Sequence, residues 1–278
     1  MAPALRRCAL ARNLARVTPL NTRLLFLALL RDLDIDVICD VGSMNGSDAL
    51  AFRRRRPRAR VIAIEPNPEN LRSMRNDARL RSSSIEVVAA AASNLDGIAP
   101  FFVLDANYLT DNARRGMSSL RSRDGVAYAG AAVNVKVLRL DSLLQENIAA
   151  QARIALWIDS EGQACEVLEG MRDIAAQVQL LHVEVESQAC ISSDQRLYPE
   201  ANAMLEALGF EEIATDYPST NPQFNAVYVR RGQCTRCTRQ LARRLRWGRL
   251  RRRLIARLYA TCPACARRLY ALRTLVAR

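Results

Sequence analysis

The feature that most constrains the fold is the stretch from Val37 to Asp48, where a short apolar run leads into an acidic residue and two spaced glycines. This pattern predicts a strand, a tight turn and the beginning of a helix. Asp40 ends the predicted strand, and Gly42 and Gly46 allow the backbone of the turn to approach a ligand closely. The stretch therefore indicates an α/β protein with a binding site at the carboxyl end of its first strand.

A second acidic residue, Glu65, ends the next apolar segment and precedes the sequence Pro66-Asn67-Pro68. An ionised carboxylate only accepts hydrogen bonds and can accept two at once, so it suits the two hydroxyls of a ribose. In doubly wound α/β proteins an acidic residue about twenty residues after the glycine turn has this role. Together the two motifs predict a ligand that contains adenosine.

The spacing of the glycines distinguishes two classes of such ligand. Dinucleotide sites use G-x-G-x-x-G, where a helix N-terminus holds a pyrophosphate, whereas Gly42 and Gly46 have the spacing G-x-x-x-G. Asp40 would repel a pyrophosphate, but it suits the ammonium and sulfonium groups of S-adenosylmethionine (SAM). SAM is therefore the predicted ligand, and a glycine turn without a ligand in an unrelated α/β protein is the structural alternative.

Apolar segments alternate with helical segments along the chain, which predicts a doubly wound, mostly parallel sheet with an antiparallel terminal hairpin. The predicted strands begin at residue 37 and continue with 60–65, 85–91, 100–104, 133–140, 154–159, 180–186, a strand from 210, and 224–230. The predicted helices are 47–56, 68–80, 141–150, 163–175 and 199–208. Asp96-Gly97 is a hairpin signal after the third strand. The irregular segments 105–132 and 187–199 are expected to build an acceptor pocket.

Charge divides the chain into parts. The formal net charge is +13, but 16 arginines and no acidic residue lie from Arg230 onward, so the remainder carries −3. We predict an N-terminal helical extension over 1–35, an α/β domain over 36–230 and an Arg-rich tail over 231–278. The apolar run 24–30 is too short to span a bilayer and predicts a core-facing helix capped near Asn21 or Thr22. These features favour a cytoplasmic protein, with a weak signal peptide as the alternative.

The tail contains two C-x-x-C pairs, Cys234 with Cys237 and Cys262 with Cys265, separated by 24 residues. Four thiolates in such pairs can close a tetrahedral zinc site, and free or redox-labile thiols or structural disulfides are the alternatives. Between the pairs, leucines among arginines predict a small basic helical extension. It favours peripheral contact with an anionic membrane surface over nucleic acid, because aromatic residues are not interleaved with the arginines as base stacking would require. A solvated basic face is the third interpretation.

Over about residues 36–230 the chain resembles the FkbM family of SAM-dependent methyltransferases. The matching motifs are Asp40-Val-Gly-Ser-Met-Asn-Gly-Ser, Ala63-Ile-Glu-Pro-Asn-Pro-Glu-Asn, Ala90-Ala-Ala-Ser with Asp96-Gly97, Ser118-Ser-Leu, Leu140-Asp-Ser-Leu-Leu, Ile158-Asp-Ser-Glu-Gly and Glu166-Val-Leu-Glu-Gly. The last two are the most specific, because a generic SAM-binding fold does not require them. The resemblance implies a class I methyltransferase (Rossmann-like) fold, SAM as the methyl donor and a hydroxyl acceptor on a sugar or polyketide-like metabolite. The candidate cofactor-binding residues are Asp40, Gly42, Ser43, Asn45, Gly46, Glu65, Asn67 and Ser93.

The candidate catalytic residues are the carboxylates Asp159, Glu161 and Glu184, which follow or end two predicted strands. Such carboxylates can remove the proton of an acceptor hydroxyl, orient a sugar diol or bind a divalent cation at Asp159. Glu161 has helix capping as an alternative role. His182 is the only histidine, and we interpret it as a packed, hydrogen-bonded residue. Trp157 stands where the family typically has a lysine, and we predict that it lies in the core.

These patterns predict a SAM-dependent O-methyltransferase that acts on a hydroxyl of a glycan, a glycolipid or a related small molecule. A nucleic-acid-binding protein, or an RNA methyltransferase that holds its substrate with the tail, is the alternative class. A third interpretation is a binding module without catalytic activity. It rests on Trp157, which stands in place of the family's lysine.

Overall fold

The computed structural model describes residues 22–105, 116–123, 125–145, 148–216, 222–233 and 240. Residues Thr22–Cys234 form one compact unit. Its helices are α1 Thr22–Asp32, α2 Ser47–Arg55, α3 Pro68–Asn76, α4 Ala78–Ser82, α5 Leu140–Leu144, α6 Ala164–Glu169 and α7 Tyr198–Ala207. Its strands are β1 Val37–Val41, β2 Arg60–Ile64, β3 Glu86–Val88, β4 Ala91–Ala92, β5 Gly97–Phe101, β6 Val133–Leu138, β7 Ile154–Ile158, β8 Val178–Glu186, β9 Phe210–Thr215 and β10 Gln223–Arg230.

The main sheet has seven strands in the order β3-β2-β1-β7-β8-β10-β9. The first five are parallel to one another, and β10 is antiparallel to both β8 and β9. The sheet reverses its strand order between β1 and β7, and ligands bind beyond the carboxyl ends of strands at such a point. The predicted mostly parallel sheet with an antiparallel terminal hairpin is confirmed.

A second sheet of three strands, in the order β4-β6-β5, corrects one prediction. The strand expected over 85–91 is divided into β3, which joins the main sheet, and β4, which joins the small one. The turn between them is closed by a hydrogen bond from the Ala90 N–H to the Val88 carbonyl. The hairpin expected at Asp96-Gly97 does not form, because β6 lies between β4 and β5 and pairs with both.

Three predicted helices are shorter than expected. The helix predicted over 68–80 is broken at Asp77, whose backbone is extended and whose side chain accepts the Arg79 N–H at the start of α4. The helix expected over 141–150 is α5, which ends at Leu144. The helix expected over 163–175 ends at Glu169, where Gly170 lies so close to the Ser93 carbonyl that a Cβ would be 2.0 Å from its oxygen.

Helix α1 packs against β8 and α2 and buries Leu25, Phe26 and Leu29, which confirms the prediction of a core-facing helix. Trp157 is also in the core, where its ring stacks on His182 at 3.5 Å.

Within the described part of the chain, no helix combines the length and apolar character needed to cross a membrane. Of the Arg-rich tail over 231–278, the structure describes only positions 231–233 and Gln240. The predicted zinc ligands lie outside the described residues: Cys234, Cys237, Cys262 and Cys265.

Candidate functional site

A cleft of about 280 Å³ opens beyond the carboxyl ends of the central parallel strands. Its walls include the turn after β1, the end of β2, the segment around β4 and the ends of β7 and β8. The lining includes Gly42, Met44, Glu65, Asn70, Asp159, Glu161 and Glu184. The cleft therefore brings together one of the two acidic motif residues, Glu65, and all three candidate catalytic carboxylates. We call it the carboxylate cleft.

The turn after β1 lies against the end of β7. Gly42 has φ +79°, and a Cβ at this position would be 1.7 Å from the carbonyl oxygen of Asp159. Met44, with φ +52°, also adopts the left-handed conformation. Only glycine fits between the two segments at position 42, so this residue sets the distance between the turn and Asp159.

Asp40 lies beneath this turn and does not line the carboxylate cleft. Its buried Oδ2 accepts hydrogen bonds from the Ser43 hydroxyl at 2.6 Å and from the Ala49 N–H at 3.1 Å. Burial raises the pKa of Asp40 to about 7. The structure thus places Asp40 and Ser43 where they fix the turn to the N-terminal part of α2, rather than in the wall of the cleft.

Glu65 lines the carboxylate cleft, and its side chain connects two loops. Oε2 accepts the Met44 N–H at 2.7 Å, while Oε1 accepts the Asn67 N–H at 2.8 Å and the Asn70 side-chain amide at 3.2 Å. A carboxylate has about four acceptor sites, so one remains on Oε2 for a ligand. Burial raises the pKa of Glu65 to about 7.

The other four predicted cofactor-binding residues make their contacts outside the lining of the cleft. Asn67 caps α3 by accepting the Glu69 N–H at 3.0 Å, and Asn45 accepts the Ser47 N–H at 3.0 Å. Gly46, with φ +73°, packs against the Leu80 side chain. Ser93 is buried, and its N–H donates to the Leu138 carbonyl. None of these four residues is in the lining described above.

Asp159, Glu161 and Glu184 each place a carboxylate oxygen within 4.8 Å of the other two. Burial and, to a lesser extent, the charge of Glu161 raise the pKa of Asp159 to about 7. Burial, with the charge of Asp159, raises the pKa of Glu184 well above its usual value. The hydrogen bond between Asp159 and Glu184 opposes the rise in the pKa of Asp159 and adds to that of Glu184. Glu184 is therefore the protonated partner near neutral pH.

Two residues that contact these carboxylates were not predicted from the sequence. Arg123 forms a buried ion pair with Glu161, and the Gln223 side-chain amide donates to both Glu161 and Glu184 at 3.1 Å. Arg123 lies in a segment with no periodic pattern, and Gln223 is the first residue of β10. Neither position carries a motif, so the sequence alone offers no signal for their contacts.

The structure explains the two most specific motifs. Gly162, with φ +84°, packs against Ile191, and its carbonyl accepts the Nε–H of Arg121 at 3.0 Å. Arg121 also forms an ion pair with Glu166 at 3.0 Å. Arg196 pairs with the same Glu166 oxygen at 3.2 Å. These contacts connect the segment after β7, which contains Asp159 and Glu161, to the loop after β8.

A family model described as the Methyltransferase FkbM domain matches residues 40–212, more than half of the chain. The chain belongs to the FkbM methyltransferase family. It is a SAM-dependent methyltransferase. The third interpretation of the sequence, a binding module without catalytic activity, is therefore rejected. Trp157, the basis of that interpretation, lies in the core with Phe26, Phe52 and His182.

The relatives of the chain are distant. A 2-O-methyltransferase, NoeI of Sinorhizobium fredii (strain NBRC 101917 / NGR234), is 25% identical over 195 residues, 66% of this chain and 74% of NoeI. An rRNA methylase from Streptococcus thermophilus has a TM-score of 0.43 and 12% identity, over 77% of this chain and 97% of the methylase. The precorrin-6y C5,15-methyltransferase from Geobacter metallireducens GS-15 has a TM-score of 0.41 and 15% identity, over 77% of this chain and 89% of the precorrin enzyme.

Proposed function

We propose that this FkbM methyltransferase transfers the methyl group of SAM to a hydroxyl of an uncharged acceptor, a glycan, glycolipid or related small molecule. The observation that supports this most is that one cleft contains both Glu65 and the pair Asp159 and Glu184. The first suits a ribose and the second suits a hydroxyl that must lose its proton. The relative NoeI, a 2-O-methyltransferase, is consistent with transfer to oxygen.

The donor side fits SAM in two respects. Glu65 lines the carboxylate cleft, and its Oε2 accepts one hydrogen bond, which leaves an acceptor site for a ribose hydroxyl. The backbone of Gly42, without a Cβ, allows close approach beside Asp159. SAM supplies a methyl group that is already activated by its sulfonium, so the protein mainly positions the reactants.

Asp159 is the proposed general base. Its pKa of about 7 lies near working pH, where a carboxylate is partly ionised and still basic enough to take a proton from a hydroxyl. Glu184 donates a hydrogen bond to Asp159 and so orients its carboxylate. Arg123 neutralises Glu161, which keeps a second full negative charge away from the base.

The charge of the cleft favours an uncharged acceptor. Four carboxylates, Glu65, Asp159, Glu161 and Glu184, belong to its lining, and among the described residues no Arg, Lys or His does. Glu184 is protonated and Arg123 neutralises Glu161, but the partly ionised Glu65 and Asp159 still repel a phosphate group, and the described lining offers it no positive partner. This argues against an RNA acceptor. It fits the hydroxyls of a neutral sugar, which donate hydrogen bonds to carboxylates.

A divalent cation at Asp159 is the alternative role for the same carboxylates. The ion pair between Arg123 and Glu161 disfavours it, because a cation would have to share Glu161 with a buried guanidinium. Full activity in millimolar EDTA is expected if Asp159 is the base. Loss of activity in EDTA, restored by added Mg²⁺, would instead support the cation.

The acceptor is tested by supplying tritiated SAM and comparing matched compounds in one assay: neutral oligosaccharides, the same sugars as phosphate esters, and RNA. We expect tritium in the neutral oligosaccharides and little in the phosphate esters. Preferential labelling of RNA would overturn the proposed acceptor. A parallel calorimetric titration with S-adenosylhomocysteine checks that the donor site is intact.

A further inference from the structure

A second cleft, lined almost entirely by arginines, lies at the opposite end of the main sheet. Its lining residues are Arg31, Asp34, Arg54, Arg55, Arg56, Pro57 and Arg58, around a volume of about 430 Å³. They come from the C-terminal ends of α1 and α2 and from the turns that lead into β1 and β2. This arginine cleft is therefore at the amino ends of the strands, whereas the carboxylate cleft is at their carboxyl ends.

The arginine cleft has a large excess of positive charge. Five guanidinium groups line it, and Asp34 is the one carboxylate among the described lining residues. Asp34 pairs with Arg56 at 2.8 Å, but its side chain is 76% exposed. Arg31, Arg54 and Arg58 are exposed. Four positive charges are thus not matched by a carboxylate in the lining.

The fold holds two of these guanidinium groups in place. The Nε–H of Arg55 donates to the Leu27 carbonyl at 2.7 Å, and Arg56 donates to the Ile35 carbonyl at 2.9 and 2.7 Å. Burial and the neighbouring charge of Arg31 lower the pKa of Arg55, and the charge of Asp32, which is not in the lining, opposes this only in part. Like charges are held together here, and a bound anion would relieve their repulsion.

We propose that the arginine cleft binds a phosphate group. Guanidinium groups donate paired hydrogen bonds to phosphate oxygens, and fixed guanidinium groups lose less side-chain entropy when they bind. Exposed arginines at a helix C-terminus also interact favourably with the helix dipole without any ligand. That interaction does not account for a concave site to which two helices and two turns contribute.

The position of the arginine cleft indicates its role. A ligand there would leave the carboxylate cleft open, so it is not the methyl acceptor, and this proposal does not depend on the identity of that acceptor. A phosphate-bearing ligand would attach the enzyme by the face away from its catalytic groups. The phosphate can belong to a lipid headgroup or to a soluble phosphate ester.

The first test is a calorimetric titration of the full-length protein with inorganic pyrophosphate. Arg54→Ala combined with Arg58→Ala removes two charges from the arginine cleft. Arg72→Ala combined with Arg75→Ala removes two charges from the exposed face of α3 and is the matched control. We expect the Kd to rise at least about tenfold for the cleft variant and less than about twofold for the control. No binding by the wild type overturns the proposal. Equal weakening in both variants also overturns it, because net charge or the tail would then explain the binding.

A second measurement identifies the source of the phosphate. Sedimentation with vesicles of phosphatidylglycerol and phosphatidylcholine is compared with sedimentation with vesicles of phosphatidylcholine alone. Weaker binding to the anionic vesicles by the cleft variant than by the control assigns the site to a lipid headgroup. Equal vesicle binding by the two variants, with pyrophosphate binding lost only in the cleft variant, assigns it to a soluble phosphate ester. Unchanged melting temperatures and S-adenosylhomocysteine affinity are expected in both variants.

Discussion

Glu161 adopts a left-handed backbone conformation, with φ +48°, although it is not a glycine. Non-glycine residues in this region are uncommon and persist where their surroundings hold them. Here Arg123 and Gln223 hold the carboxylate, and Gly162 follows with the same sign of φ. The local strain lies two residues after Asp159, in the Ile158-Asp-Ser-Glu-Gly motif that distinguishes this family from other SAM-binding folds.

At Asp159, replacement by Asn keeps the size of the side chain and removes the base. We expect kcat to fall at least about a hundredfold, the usual contribution of a general base, while the Kd for S-adenosylhomocysteine changes less than about threefold. Asp173→Asn, at an exposed carboxylate, is the control and should retain activity. Full turnover by the Asp159 variant would show that another group removes the proton.

At Glu65, replacement by Ala removes the proposed contact with the ribose. Hydrogen bonds to charged groups contribute about 1.5–3 kcal/mol, so we expect a rise of about tenfold or more in the Kd for S-adenosylhomocysteine. Glu69→Ala, on the exposed first turn of α3, is the matched control and should bind as the wild type does. Glu65 also accepts the Met44 and Asn67 N–H groups, so a melting curve must show that the variant is folded. Unchanged affinity in a folded variant would contradict the assignment.

The turn between β1 and α2 is the element that sets the width of the carboxylate cleft. Gly42→Ala adds a Cβ 1.7 Å from the Asp159 carbonyl oxygen at φ +79°, so the turn or the end of β7 must move. We expect a loss of more than about 2 kcal/mol in the free energy of unfolding, with weaker binding of S-adenosylhomocysteine.

Gly125→Ala separates the two causes of that loss. Gly125 has φ +72°, and a Cβ there would meet nothing within 4 Å. Its substitution should cost about 1 kcal/mol, from the backbone conformation alone. Similar losses in the two variants, measured by urea denaturation, would mean that the contact with Asp159 is not what requires glycine at position 42.

The elements differ in how far the sequence predicts them. The turn at Gly42 and the acidic end of β2 are local patterns, and short-range backbone chemistry is enough to predict both. The division of 85–91 between two sheets depends on β6, which lies about forty residues further along, and no local pattern contains that pairing. The same applies to Arg123 and Glu161, which meet through the tertiary fold. Asp40 lies in β1 one residue before its end, and Ser93 directly follows β4. Neither residue is in the lining of the carboxylate cleft, and no local pattern contains the contacts that Asp40 makes with Ser43 and Ala49.

The described unit as a whole has its two kinds of charge at opposite ends of one sheet. Carboxylates line the cleft at the carboxyl ends of the strands, and arginines line the cleft at the amino ends. Both arrangements hold ionisable groups of one kind near one another, and keeping several of them ionised together costs folding free energy. Such costs cluster at binding and catalytic sites, so we expect each cleft to combine a cost in stability with the function proposed for it.

The stability of the whole molecule should therefore fall as the pH rises from 5 to 8. Asp40 and Glu65 have a folded-state pKa of about 7, above the unfolded values of about 4. The folded state holds their protons more tightly, so their stabilising contribution is complete below about pH 4 and is lost as the pH rises through 7. His182 acts in the opposite direction below about pH 6.5, because burial lowers its pKa to about 3, but it is one group against several carboxyls with raised pKa values.

Asp40→Asn isolates one of these contributions. Asn keeps an oxygen that can accept from Ser43 and Ala49, but it does not titrate, so the fall in the free energy of unfolding between pH 5 and 8 should shrink by on the order of 2 kcal/mol. Urea denaturation at the two pH values measures this, and Asp173→Asn should leave the wild-type difference unchanged. A wild-type stability that is flat or rises over this range, or an Asp40 variant with the full wild-type difference, would show that the buried carboxyls are ionised at little cost. The raised pKa of Asp159, which depends on the same burial, would then no longer support its role as a base.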